Sequence, residues 1–299
     1  MDTSPRVLTR RGFLAASAAI LVSSRVWAES GVKVPPIGTC GSIDQAVKGR
    51  GAGLSFIEVG LAPNCAPSVP EEAFQKWLAE VRAAVLPASR ANVFFPGDIK
   101  LAGPKRDLAK VREYADGCLA RAVKAGVKIV TLGSGGARSA PEGTSIPKAV
   151  EQFTECCREI AKIAETHGIT IAVEPLNKGE CNVLNRLGEV CKVVDAVNSP
   201  NLGATADIYH MRREKEGADA LLAAGKRVRH CHIAEDKGRL APGSAGDDFS
   251  GYFAALQSFG YEGGLSIECT WTDMDAELPV AVAEISKQWL RAANKESHG

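Results

Sequence analysis

The chain has 299 residues, with 36 lysines and arginines against 35 aspartates and glutamates and a net charge of +1. It has no basic excess of the kind that nucleic acid or an anionic membrane surface would attract. Its nine cysteines, at 40, 65, 118, 156, 157, 181, 191, 231 and 269, are odd in number and scattered, which is not a disulfide framework.

The first element is a targeting segment. Thr9-Arg10-Arg11-Gly12-Phe13-Leu14 is a twin-arginine pattern, an apolar run extends from Phe13 to Val22, and Val26-Trp27-Ala28 offers a cleavage site. That run falls short of the roughly 20 residues needed to span a bilayer. Residues 1–28 are therefore expected to direct Tat export to the periplasm or beyond, leaving 29–299 as one domain. Tat substrates fold in the cytoplasm, which accommodates reduced thiols. Without the four arginines and one aspartate of the segment, the remaining charge is near −2.

Strand-like and helix-length segments then alternate to the C-terminus. A strand at 37–40 precedes a short helix at 43–48, and a strand at 55–59 precedes a helix at 70–85. Further pairs are expected at 91–95 and 107–125, then at 128–132 and 146–167, the latter helix stopping at Gly168. The second half repeats the pattern with strands at 169–174, 202–207, 228–233 and 264–268, and helices at 187–197, 217–224, 249–259 and 278–293. Eight units in strict alternation predict an α/β fold, the closed (β/α)8 TIM barrel. An open doubly wound sheet would want a phosphate-gripping glycine loop after an early strand. Gly133-Ser134-Gly135-Gly136 follows only the fourth strand and lacks the full fingerprint. Adjacent Cys156 and Cys157 lack metal spacing and read as helix packing.

Glu174, Asp207, His232 and Glu268 close four successive strands, at separations of 33, 25 and 36 residues. A barrel of about 250 residues has roughly 31 residues per unit, so these four side chains converge on one mouth. A glutamate ending an apolar run is unfavourable without a partner. Three oxygens and one nitrogen form a hard, mixed donor set suited to Mn²⁺, Mg²⁺ or Co²⁺. Strand alternation places His230 on the same face as His232.

Val-Glu-Pro-Leu-Asn at 173–177, Asp-Ile-Tyr-His-Met at 207–211, His-Cys-His-Ile-Ala-Glu-Asp at 230–236, Ala-Pro-Gly-Ser-Ala-Gly-Asp-Asp at 241–248 and Ser-Ile-Glu-Cys at 266–269 carry a resemblance. They resemble the xylose-isomerase-like sugar isomerase/epimerase family, which includes ketose 3-epimerases, hydroxypyruvate isomerases and inosose dehydratases. The resemblance implies that Glu174, Asp207, His232 and Glu268 ligate a divalent metal, Mn²⁺ first. It also implies that Glu174 and Glu268 are the acid/base pair in α-proton abstraction through a metal-stabilised enediolate. Glu180, His210 and Arg239 match substrate-contacting positions, although Arg239 falls one residue later than the epimerase spacing.

Four further readings come from the residues themselves. Arg138 is expected either to bind the substrate or to form a surface salt bridge. Glu58 is expected to line the pocket. Trp271 offers an apolar wall for a sugar ring, or core packing. The Gly- and Pro-containing loop 237–248 suits a shaped lid. Export favours a non-phosphorylated ketose as substrate, and a homo-oligomer is compatible with the reading. The alternative from the same proton abstraction is a lyase cleaving 3-keto-glycosides by β-elimination. A metal-dependent endonuclease would want more than five histidines and a basic groove. A non-catalytic sugar-binding protein would not need the full quartet.

Overall fold

The computed structural model describes residues 32–296, so the expected signal segment lies outside the described residues. Its strands are β1 (Ile37–Cys40), β2 (Phe56–Gly60), β3 (Arg90–Asn92), β4 (Ile129–Leu132), β5 (Thr170–Val173), β6 (Leu202–Asp207), β7 (Val228–Ile233) and β8 (Leu265–Ile267). Each pairs in parallel with the next, and β1 pairs with β8, closing an eight-stranded barrel. The helices are α1 (Ala46–Ala52), α2 (Ala62–Cys65), α3 (Glu71–Ala83), α4 (Leu108–Lys124), α5 (Gly135–Arg138), α6 (Ile146–His167), α7 (Leu187–Val197), α8 (Ile208–Arg213), α9 (Ala218–Ala224), α10 (Ser250–Ser258) and α11 (Met274–Glu296). Among the described residues, no helix is long and apolar enough to cross a membrane.

Local chemistry sets the ends of these elements. Ser145 caps α6 by accepting from Lys148 N, Pro147 sits in its first turn, and Gly168 ends it at φ 63°. The α6 side chains of Ala149, Phe153, Cys156, Cys157, Ile160, Ala161 and Ala164 are buried, a stripe with helical period against the barrel. Cys156 and Cys157 are both part of that packing, and all nine cysteines are free thiols. Asp107 caps α4 by accepting from Ala109 N at 2.9 Å and Lys110 N at 3.3 Å.

Among the boundaries that differ from the expectation are those of the third strand and the last helix. The third strand ends at Asn92 rather than Phe95, because Val93 takes φ 49°, a conformation in which a β-branched residue cannot extend a strand. Phe94 and Phe95 then turn inward against Tyr114, with ring centroids 6.3 and 5.1 Å away. The last helix begins at Met274, one turn early, and carries Pro279 within its first turns.

The interior beneath the mouth is polar. Even-numbered strands send one side chain each into a common layer, as alternate strands do in these barrels. Here the four are Glu58, Thr131, Thr205 and Ser266, all buried, where Val, Ile or Leu would be usual. Thr131 Oγ1 lies 3.3 Å from Glu58 Oε1 and 3.4 Å from Thr205 Oγ1, and Ser266 Oγ donates to Glu58 Oε2 at 2.5 Å. A polar layer this deep is stable only because its members satisfy one another.

Candidate metal centre

The backbone places three of the four expected ligands at the rim of that layer. Glu174 follows β5 and its N–H donates to Leu132 O at 3.1 Å; Glu268 follows β8 and donates to Ile233 O at 3.1 Å. Asp207 ends β6 and also caps α8, where its Oδ1 accepts from His210 N at 2.8 Å. That bond fixes the carboxylate and leaves Oδ2 facing inward. His232 lies within β7, and its Nδ1 is 2.7 Å from Glu174 Oε1, 3.3 Å from Glu268 Oε2 and 3.8 Å from Asp207 Oδ2. One donor atom from each residue lies within 4.8 Å of all the others. Three converging carboxylates around one imidazole nitrogen fit a hard divalent cation, which would offset their mutual repulsion.

Space at this point depends on a glycine. A Cβ on Gly133, just beyond β4, would lie 2.3 Å from Glu174 Oε2. The glycine-rich turn after the fourth strand therefore gives room to a carboxylate.

The two glutamates are electrostatically unlike. Burial pushes the Glu174 carboxyl up, and the His232 imidazole counters this only in part. Burial also opposes ionisation of Glu268, but His232 and the Arg239 guanidinium outweigh it and bring that carboxyl down to about 2. Burial alone would lower His232, yet Glu58 and Glu268 hold it well above its ordinary value. Both imidazole nitrogens face carboxylate oxygens, since Nε2 lies 3.0 Å from Glu58 Oε1. That arrangement is an imidazolium, and a cation bound at Nδ1 would displace its proton.

Glu180, His210 and Arg239 are gathered around the quartet as expected. His210 Nδ1 accepts from Asn177 N at 3.2 Å and Nδ2 at 2.9 Å, so its proton is on Nε2. This Nε2 is buried without a hydrogen-bond partner, 3.8 Å from both Glu180 Oε2 and Asp207 Oδ2. It is a donor directed at the mouth. Arg239 pairs through Nη2 with Glu268 Oε2 at 2.6 Å, reaches Glu180 Oε1 at 3.5 Å and stacks on Tyr209 at 4.8 Å.

Arg138 does not join them. It is fully buried, donates to Leu132 O at 3.2 Å and lies 5.6 Å from the Phe153 ring of α6. A guanidinium enclosed between barrel and helix has no surface for a sugar. Among the described residues no carboxylate pairs with it, so the surface salt bridge is absent too. Glu58 lies beneath the pocket rather than on its wall. Trp271 is partly buried and packs against the core at the edge of the mouth.

Several contributors carry little signal in sequence. Asn92 donates to Glu268 Oε1 at 3.2 Å, and Asn177 bridges His210 and Glu180. Glu235, fully buried, accepts from Gly243 N at 2.6 Å, Ala245 N at 2.8 Å, Gly246 N at 3.3 Å and Asp247 N at 3.4 Å. The loop 237–248 is thus clamped on a carboxylate by its own amides. Of these three side chains, Asn177 and Glu235 lie in the family motifs at 173–177 and 230–236, and Asn92 lies in none.

The model of the xylose isomerase-like TIM barrel family matches residues 48–293. The chain belongs to this family. An L-ribulose 3-epimerase of Methylomonas sp. (strain DH-1) is 38% identical over 113 residues, 37% of this chain and 39% of that relative. A 3-dehydro-D-guloside 4-epimerase of Escherichia coli (strain K12) is 29% identical over 142 residues, 47% of this chain and 53% of the relative. The chain thus spans about two fifths to one half of the length of these curated relatives. The fold likeness is longer. A D-allulose 3-epimerase structure from Methylomonas sp. superposes with a TM-score of 0.72 at 23% identity, covering 86% of this chain and 99% of that one.

Proposed function

We propose that this family member is a divalent-metal-dependent epimerase or isomerase of a non-phosphorylated ketose-type sugar. The observation that carries this reading is the pair of unlike carboxylates, Glu174 and Glu268, meeting at one imidazole nitrogen. Two titratable groups whose surroundings separate their proton affinities are suited to opposite halves of a proton transfer. The two relatives in sequence described above are named as epimerases of sugars, which agrees with it.

Glu174, Asp207, His232 and Glu268 would hold the ion, with Mn²⁺ as the first choice and Mg²⁺ or Co²⁺ as alternatives. When bound, it supplies Lewis-acid polarisation of a substrate carbonyl. The side chains do the rest. Glu268, kept ionised by His232 and Arg239, takes the proton from the carbon beside the carbonyl. Glu174, whose carboxyl burial pushes up, returns a proton to the substrate. His210 Nε2 donates to a substrate hydroxyl, Glu180 accepts from another, and Arg239 fixes the substrate oxygen nearest Glu268. Export by the twin-arginine segment belongs to this reading, and it places the substrate among sugars and glycosides found outside the cytoplasm.

Proton NMR in D₂O tests the proposal, using metal-stripped protein with and without Mn²⁺, on free ketoses and on 3-keto-glycosides. Manganese is chelated before acquisition. Metal-dependent deuterium uptake beside the carbonyl, with an epimeric product, is the expected result. Elimination from the keto-glycoside would instead favour a lyase using the same two carboxylates. Absence of exchange in every substrate, with metal bound, would reject enolisation altogether.

A further inference from the structure

Glu58 is fully buried on β2, and the quartet does not include it among its ligands. Both of its oxygens are nevertheless engaged. Oε1 lies 3.0 Å from His232 Nε2 and accepts from Thr131 Oγ1 at 3.3 Å. Oε2 lies 2.7 Å from His230 Nε2 and accepts from Ser266 Oγ at 2.5 Å. Four donors from β4, β7 and β8 thus fix one carboxylate in the barrel interior. An ionised carboxylate can only accept hydrogen bonds, so every group facing it must present a proton. For His232 that group is Nε2–H, so the nitrogen that can give up its proton and coordinate is Nδ1, which faces Glu174, Asp207 and Glu268.

We propose that Glu58 is a positioning residue that sets the tautomer of His232, with His230 and Ser266 holding it in register. A metal-bound imidazole needs its other N–H directed at an acceptor, and loss of that acceptor weakens binding by about 10–100-fold. His230 takes the same role one step further out. Its Nε2 donates to Glu58 while its Nδ1 is buried without a partner, so its one satisfied nitrogen is the one facing Glu58. The inference rests on the metal-centre reading above.

Two measurements test it. Isothermal titration of metal-stripped protein with Mn²⁺ compares wild type with Glu58→Gln, whose amide can accept on only one side. Binding of one ion by wild type and a 10–100-fold weaker dissociation constant in the variant are expected. Two-bond ¹⁵N–¹H correlation spectra of ¹⁵N-histidine-labelled wild type with diamagnetic Zn²⁺ should show His232 protonated on Nε2 and ligating through Nδ1. A folded Glu58→Gln with affinity within threefold of wild type would overturn the role. So would ligation through Nε2, and that spectrum decides the matter even where the variant fails to fold. Failure of wild type itself to bind one ion would reject the metal centre, a different result from equal binding by both proteins.

Discussion

The two halves of the barrel divide the work unequally. All four members of the quartet come from β5 to β8 or the residues just beyond them. β1 to β4 supply no ligand to it. They provide Glu58 beneath His232, Thr131 beside Glu58, Asn92 against Glu268, and the empty space at Gly133 that Glu174 fills. One half presents donors and the other constrains them. A closed sheet makes this division natural, since side chains from opposite strands meet across its interior. On this view, changes to the ligands of the second half should abolish chemistry, and changes in the first half should degrade it through geometry.

The largest effect is expected at Glu268. Replacing it with Gln removes both a donor of the quartet and a carboxylate that His232 and Arg239 hold in its ionised form. With saturating Mn²⁺, kcat should fall by about 10²–10⁴-fold, the usual contribution of a positioned acid or base. A fall below tenfold in steady-state assays would move the base role elsewhere.

Next comes Gly133→Ala, which touches no ligand directly in sequence yet places a methyl group against Glu174 Oε2. A displacement of about 1 Å at a catalytic group can lower turnover about 100-fold. Reduced kcat together with weakened Mn²⁺ binding is expected, while the far-ultraviolet circular dichroism stays unchanged. If both parameters match wild type, the carboxylate has room to move, and the first half constrains the site less than the geometry implies.

Glu235→Gln should act mainly on the loop. The four amide donors of 243–247 share two carboxylate oxygens, and an amide side chain offers only one. Leaving buried donors unsatisfied costs about 1–3 kcal/mol. Faster hydrogen exchange confined to 237–248, and a raised KM because Arg239 lies in this loop, are the expected signs. Unchanged exchange there would show that the loop is held by other contacts, such as Arg212 with Asp247 at 2.8 Å.

The same division explains what could be read in the sequence. Ligands at strand ends are polar residues that break an apolar run, so Glu174, Asp207 and Glu268 stood out, and the eight alternating units gave the barrel. Alternation reveals the face of a strand residue but not its depth. Glu58 was therefore expected on the pocket wall, although it lies one layer below it. Arg138 follows a glycine-rich turn at the correct strand end, but its side chain turns outward between β4 and α6. Nothing in residue type distinguishes these two directions. The amides gathered by Glu235 and the vacancy at Gly133 are backbone features, and only the fold brings them to the site. Val93 ended its strand early through a left-handed backbone that its β-branched side chain gives no reason to expect.

The smallest effect is expected at Asn92, and it sharpens the comparison most. Its amide gives Glu268 Oε1 one hydrogen bond at 3.2 Å, while Arg239 holds Oε2 at 2.6 Å from the other side. Asn92→Ala removes a neutral donor to a charged acceptor, a loss of about 1.5–3 kcal/mol at most. The quarter-exposed Glu268 can recover part of that from water. A few-fold decrease in kcat is therefore expected, with metal affinity nearly unchanged because the Arg239 contact persists. In the Arg239→Ala background the same substitution should have a larger effect, since Glu268 would then lose both the amide and the guanidinium that orient it. Additivity of the two substitutions in a double-mutant cycle would show that the halves act on Glu268 independently, and a coupling above about 0.5 kcal/mol would show that they orient it together.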